Sequence, residues 1–167
     1  MFIDELEALV PKRDGDTDET TRKVISVLLQ ELDGIDQNKN PILLLGATNV
    51  PWMVDEAFLR PGRLDVKVFV GLPDHDARRQ MFINELYRCK LPHQSGLTGY
   101  LAEYTEGFSG ADIKGVVERL KQLAYSRRAP EFDTALVDEV MKNSKPTANG
   151  DILKRIKEWE KKNNMRR

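Results

Sequence analysis

Cysteine is almost missing from this chain. Cys89 stands alone among 167 residues, which excludes an internal disulfide and fits a reducing compartment. Histidine is nearly as scarce: His75 and His93 fall in polar stretches outside any motif, and neither is assigned a role. Long apolar runs are missing too. The longest, Ile42 to Leu45, is far shorter than the ~20 residues needed to cross a bilayer. The N-terminus carries Asp4, Glu5 and Glu7 with no basic leader, unlike a secretory signal, so the expected location is cytoplasmic. Net charge is only −1, so no global excess draws the chain to nucleic acid or membrane. A local excess does exist. From Lys145 to Arg167 there are eight Lys/Arg against three Asp/Glu, a tail able to meet an acidic partner. No aromatic residues alternate with these basic ones to stack bases. The tail therefore reads as a solvated helix with a basic end, and no nucleic-acid partner or membrane segment is expected.

What is present is a globular balance, 40% apolar and 32% charged, enough for one domain or two small subdomains. Met1-Phe2-Ile3 looks like the last turn of a buried strand. Since strands usually run ~5 residues, the expectation is that something precedes it. Lys12 to Asp18 reads as a polar loop, and Asp16 and Glu19 have capping-box spacing. Val24, Ile25, Leu28, Leu29 and Leu32 then form an apolar helical face, with Gly34 as C-terminal cap. Ile42 to Ala47 reads as a buried parallel strand, and Val66 to Val70 as a third strand. Residues 1–73 thus alternate as half of an α/β sheet. Beyond Leu72-Pro73-Asp74 the pattern turns all-helical. Helices are predicted from Asp74 to about Leu86, over Leu97–Tyr104, after a Ser109…Asp112 capping box, over Ala135–Met141 and over Asp151–Asn163. The expected divisions are 1–73, 74–145 and a C-terminal helix within 146–167.

Three short strings carry possible chemistry. Phe2-Ile3-Asp4-Glu5 puts two carboxylates at a strand end, where open α/β sheets bind ligands. One can hold hydrated Mg²⁺ and its neighbour can polarise a water; most such strings are simply strand ends. Asn49, just after the next strand, can hydrogen-bond a phosphate oxygen and the attacking water, or serve as an ordinary turn residue before Pro51. Arg60-Pro61-Gly62-Arg63 holds two guanidinium groups on a rigid turn. Arginine suits phosphoryl transfer because its planar fork meets phosphate oxygens bidentately. The plainer alternative is a basic turn with an Arg63–Asp65 surface pair.

The order of these strings resembles the AAA ATPases: Phe2 to Leu9, Leu28 to Gly34, Gly46-Ala47-Thr48-Asn49, Leu59 to Asp65, Leu72-Pro73-Asp74 and Gly107 to Asp112. Arg-Pro-Gly-Arg is similar to segregase and proteasomal unfoldases. Thr48 to Trp52, with the last helix, is similar to vacuolar-sorting and katanin-like members. The mixture leaves the subfamily open. The resemblance implies the C-terminal half of a parallel-sheet P-loop NTPase core followed by an all-helical lid, using ATP and Mg²⁺. It implies Asp4 as the Walker B metal-side carboxylate, Glu5 as the water-activating one, and Asn49 as sensor 1. Arg60 and Arg63 become arginine fingers acting on the neighbouring subunit. Gly110 and Ala111 start the lid helix near adenine and ribose, and Met81 is an apolar adenine contact. Arg22 falls at the subunit interface, and Pro11 to Thr20 at a second pore loop facing protein substrate. The implied partners are further AAA subunits in a homo-hexamer.

One family element does not occur. No glycine here is followed by lysine, so the Gly-x-x-x-x-Gly-Lys-Ser/Thr phosphate loop is not in these residues. The expectation is a truncated ATPase, inactive or very weak alone, with strands lacking neighbours. Two other readings compete with it. One is a non-catalytic module that docks onto intact subunits and supplies arginines; the other is a helical packing module, which leaves Asp4, Glu5, Asn49 and both arginines unexplained.

Overall fold

The computed structural model describes residues 1–13, 18–35, 42–90, 92–148 and 150–163. They divide into two compact units, Met1–Val70 with the C-terminal helix, and Gly71–Asn149.

The first unit is organised by two short strands, β1 (Phe2–Ile3) and β2 (Leu45–Gly46). They pair in parallel, Phe2 opposite Leu45 and Ile3 opposite Gly46. Between them lie a single-turn helix α1 (Leu6–Leu9) and the longer α2 (Glu19–Ile35). Two 3₁₀ turns follow, Pro51–Met53 and Glu56–Leu59. Leu6, Val10, Ile25, Val54 and Phe58 form the core, with Leu28, Leu29 and Leu32 of α2 packed at its margin. Val24, expected on that face, is exposed. Gly46 has a packing reason: a Cβ there would come within 3.0 Å of the Leu6 side chain. The C-terminal helix α7 (Gly150–Asn163) belongs to this unit. Its Arg155 guanidinium lies 4.3 Å from the centre of the Trp52 ring, a cation–π distance.

Several expectations are corrected here. Val66 to Val70 builds no strand; the segment carries only a bridge position at Val68, and Val66, Val68 and Val70 face solvent. Alternating apolar residues suit a strand, but a strand persists only where a neighbour takes its backbone hydrogen bonds. β2 is likewise shorter than the apolar run that suggested it. The first residue of the expected Asp16–Glu19 box lies outside the described residues. Asp18 instead receives the Thr21 backbone N–H at 2.9 Å and its hydroxyl at 2.6 Å, and Gly34 sits inside the last turn of α2 rather than beyond it.

The second unit is helical: α3 (His75–Cys89), α4 (Leu97–Tyr104), α5 (Gly110–Arg127) and α6 (Thr134–Lys142). Asp74 caps α3 and Asp133 caps α6. At the start of α5 the expected box is complete. The Asp112 backbone N–H reaches the Ser109 hydroxyl at 3.2 Å while the Ser109 N–H reaches the Asp112 carboxylate at 2.8 Å. Burial of Asp112 raises its pKa, yet hydrogen bonds from Thr147 and Ser109 outweigh that and hold the carboxyl below its ordinary value. The apolar stripe Ile113, Val116, Val117, Leu120 and Ala124 closes on Phe82, Leu86, Leu101, Phe132 and Val137. Arg78 is buried and satisfied by carbonyls, with bonds to Ala102 at 2.9 and 3.3 Å and to Pro73 at 3.0 Å.

Phe82 is fully buried and Tyr87, five residues on, is 84% exposed. Phe82→Ala is expected to cost about 3–5 kcal/mol and Tyr87→Ala no more than about 0.5 kcal/mol, read by urea denaturation followed by circular dichroism.

Candidate functional site

Parallel pairing fixes where the polar strand ends lie. The Ala47 N–H donates to the Ile3 carbonyl at 2.9 Å, and the Leu6 N–H donates to the Ala47 carbonyl at 2.9 Å. Asp4 and Glu5 therefore leave β1 at the same carboxyl edge at which Thr48 and Asn49 leave β2. Adjacent strands lie about 4.8 Å apart, so the three candidate groups share one border. Asp4, Glu5 and Asn49 are all exposed.

The backbone there is strained. Glu5 has φ 49° and ψ 52°, the left-handed region, which costs a non-glycine residue about 1–3 kcal/mol. Lys90 and Arg128 also have positive φ, but both are helix C-caps, where that conformation is usual. Glu5 precedes a helix and has no such reason. Its N–H is held by the Asp4 Oδ1 at 3.0 Å, which leaves the Asp4 Oδ2 available. Oxygen donors of this kind suit Mg²⁺. Among the described residues no group of three or more His, Cys, Asp or Glu is placed to hold a metal, and a hydrated ion shared with phosphate needs none.

Downstream, the chain is pinned by a buried carboxylate. Asp55 receives the Ala57 N–H at 2.8 Å and pairs with Arg13, while the Asp55 N–H returns to the Val10 carbonyl at 3.0 Å. This ties the start of the Pro11–Thr20 loop to the 3₁₀ turns; residues 14–17 of that loop lie outside the described residues.

The two arginines differ. Gly62 turns the chain with φ 83°, and the Arg63 N–H closes the turn on the Arg60 carbonyl at 3.2 Å. Arg60 is exposed and makes no side-chain hydrogen bond or ion pair with another described residue. Arg63 is engaged. Its Nε and Nη2 donate to the two oxygens of Asp33, each at 2.7 Å, and its Nη1 donates to the Ala57 carbonyl at 2.7 Å. Its side chain is only 18% exposed. The partner is not Asp65, the neighbour in sequence. Asp33 was missed because the two lie 30 residues apart. One local signal existed: a carboxylate in the last turn of a helix opposes the macrodipole, and no basic residue accompanies it in that last turn of α2.

The remaining candidates lie in the helical unit. Met81 is partly exposed on α3; Gly110 opens α5 behind the Ser109 cap, and Ala111 is exposed. Arg22 is exposed on α2.

Residues 1–72 match the family model described as "ATPase family associated with various cellular activities (AAA)". Those residues are thus similar to AAA-family sequence. Over 125 residues, 74% of the chain, it is 42% identical to the Cell division cycle protein 48 homolog of Archaeoglobus fulgidus, and it spans 17% of that protein's length. An AAA domain implies the P-loop NTPase fold, and the parallel strand pair with its helices is consistent with that α/β class. No helix among the described residues is long and apolar enough to cross a membrane.

Within residues 1–72 the Arg63 hydrogen bond pulls the Asp33 carboxyl below its ordinary value, opposed by desolvation and helped by the nearby positive charge. The contribution of the pair to stability is thus present above the unfolded carboxyl value of about 4 and lost as pH falls through the lower folded value. Carboxyl-detected NMR titration is expected to place Asp33 below the ordinary aspartate value of about 4, and Arg63→Ala to move it back up.

Proposed function

We propose that this chain works as part of a Mg·ATP-hydrolysing ring of AAA subunits that remodels or unfolds protein substrates in the cytoplasm. The observation that carries the reading is the common carboxyl edge of β1 and β2, which gathers Asp4, Glu5 and Asn49. In this assignment Asp4 holds Mg²⁺ through water, and the ion supplies charge neutralisation on phosphate oxygens. Glu5 polarises the attacking water. Asn49 orients that water and a phosphate oxygen by hydrogen bonding. Arg60 and Arg63, on the turn that follows, act toward the neighbouring subunit, where an arginine supplied in trans stabilises charge spreading over the transferred phosphoryl group. The helical unit, residues 74–145, serves as the lid, with Gly110, Ala111 and Met81 beside the base and ribose. The relative named above is itself a cell division cycle protein 48 homolog, which favours the remodelling assignment.

The phosphate cradle of backbone N–H groups and lysine is not among these 167 residues, so hydrolysis requires a subunit that has one. A second reading, a non-catalytic module that docks onto intact AAA subunits and supplies arginine, is favoured by that same lack together with the exposure of Arg60.

Steady-state hydrolysis separates the possibilities. The 167-residue chain alone is expected to release no phosphate above background; turnover by it would overturn the assignment of the cradle to another segment. In the assembled ATPase, Glu5→Gln is expected to abolish turnover while retaining nucleotide binding, and Arg60→Ala to lower kcat by about 10³-fold or more. Unchanged turnover in both variants would sink the catalytic reading. Stimulation of an intact finger-deficient ATPase by added chain would favour the docking module.

A further inference from the structure

We infer that Asp33 is a positioning residue for the arginine turn: by gripping Arg63 it fixes Arg60-Pro61-Gly62-Arg63 and leaves Arg60 as the one guanidinium of that turn that reaches a phosphate. The inference rests on the function proposed above and divides labour between two arginines otherwise treated alike.

Three observations lead to it. The Arg63 fork is occupied side-on by both Asp33 oxygens, and the Ala57 carbonyl takes a third N–H. The guanidinium is thereby locked in direction, and its charge is matched by a carboxylate at hydrogen-bonding distance, so its field at a further phosphate is small. Arg60 has no such partner among the described residues and keeps its full charge. The turn between them is short and closed by backbone bonds, Arg63 N–H to the Arg60 carbonyl at 3.2 Å and Leu64 N–H to the Phe58 carbonyl at 3.0 Å. Anchoring Arg63 therefore anchors the Cα of Arg60. The location of Asp33 fits the role. A carboxylate in the last turn of α2 works against the helix dipole, and only a cation from elsewhere offsets it; Arg63 is that cation.

Reaching this turn from α2 makes the clamp a link between two motifs, the end of the long helix and the arginine turn. Loss of the carboxylate frees Arg63, which gives the inference a sharp discriminator. If Arg63 itself contacted phosphate, freeing it would leave the rate intact or raise it. If it is the anchor, freeing it lets the turn drift and the rate falls.

The first arm uses the 167-residue chain. Arginine-selective labelling with phenylglyoxal, read by mass spectrometry, is expected to modify Arg60 readily and Arg63 at least about tenfold more slowly, the factor set by a charge-assisted hydrogen bond. Asp33→Asn is expected to bring Arg63 up to the rate of Arg60. Equal labelling of both arginines in the unaltered chain overturns the inference. The second arm uses the assembled ATPase. Asp33→Asn and Arg63→Lys, which keeps the charge but not the fork, are expected to lower kcat by up to about 10²-fold with KM unchanged, less than the loss in Arg60→Ala. Full kcat in Asp33→Asn with activity abolished in Arg63→Ala makes Arg63 a phosphate ligand and overturns the inference while the proposed function stands. Undiminished hydrolysis in Arg60→Ala overturns the proposed function, and the positioning role with it, even where the labelling pattern holds.

Discussion

The parallel register of β1 and β2 is the constraint on which the rest depends. Only two residues of each strand are paired, yet this places Ile3 against Gly46 and sends both chains out at the same edge. A slip of one residue would turn every side chain of a strand to its opposite face. Leu6 would then lose its place over Gly46, where a Cβ would meet a Leu6 methyl at 3.0 Å. The packing of Leu6 and the adjacency of Asp4, Glu5 and Asn49 are consequences of one set of hydrogen bonds. Strain at Glu5 is concentrated at that border, where the chain turns from strand into helix in a conformation that side chains seldom adopt.

Charge is handled differently in the two units. The helical unit neutralises its buried polar groups internally, as with Arg78 against the carbonyls of Ala102 and Pro73 and Asp112 against Ser109 and Thr147. The first unit buries Asp55 against Arg13 and half-buries Arg63 against Asp33, but leaves Asp4, Glu5, Asn49 and Arg60 in solvent. Unpaired groups of that kind cost the isolated chain little and remain available to a ligand or a partner.

Local chemistry was legible in the sequence wherever the determinant was local. The Ser109…Asp112 box, the Asp74 cap and α4 over Leu97–Tyr104 follow from side chains a few residues apart, and the fold bears them out. The apolar runs ending in polar residues marked the first two strands, while their direct pairing comes from the fold. What escaped depends on distant partners. Val66 to Val70 has the composition of a strand, but composition supplies no neighbour, and Val66, Val68 and Val70 stay exposed. Asp33 sat inside a recognised string without a role because its partner comes 30 residues later. The same lack of long-range information made Asp65 the pairing partner in the plainer alternative for Arg63, where the fold has Asp33.

The account is tested most directly by a structure of the assembled ATPase with a non-hydrolysable ATP analogue and Mg²⁺. It predicts Asp4, Glu5 and Asn49 grouped around the terminal phosphate of their own subunit, Arg60 extended to that of the neighbour, and Arg63 still on Asp33. Asn49 and the two carboxylates on opposite sides of the nucleotide, or Arg60 folded back within its own subunit, would contradict it.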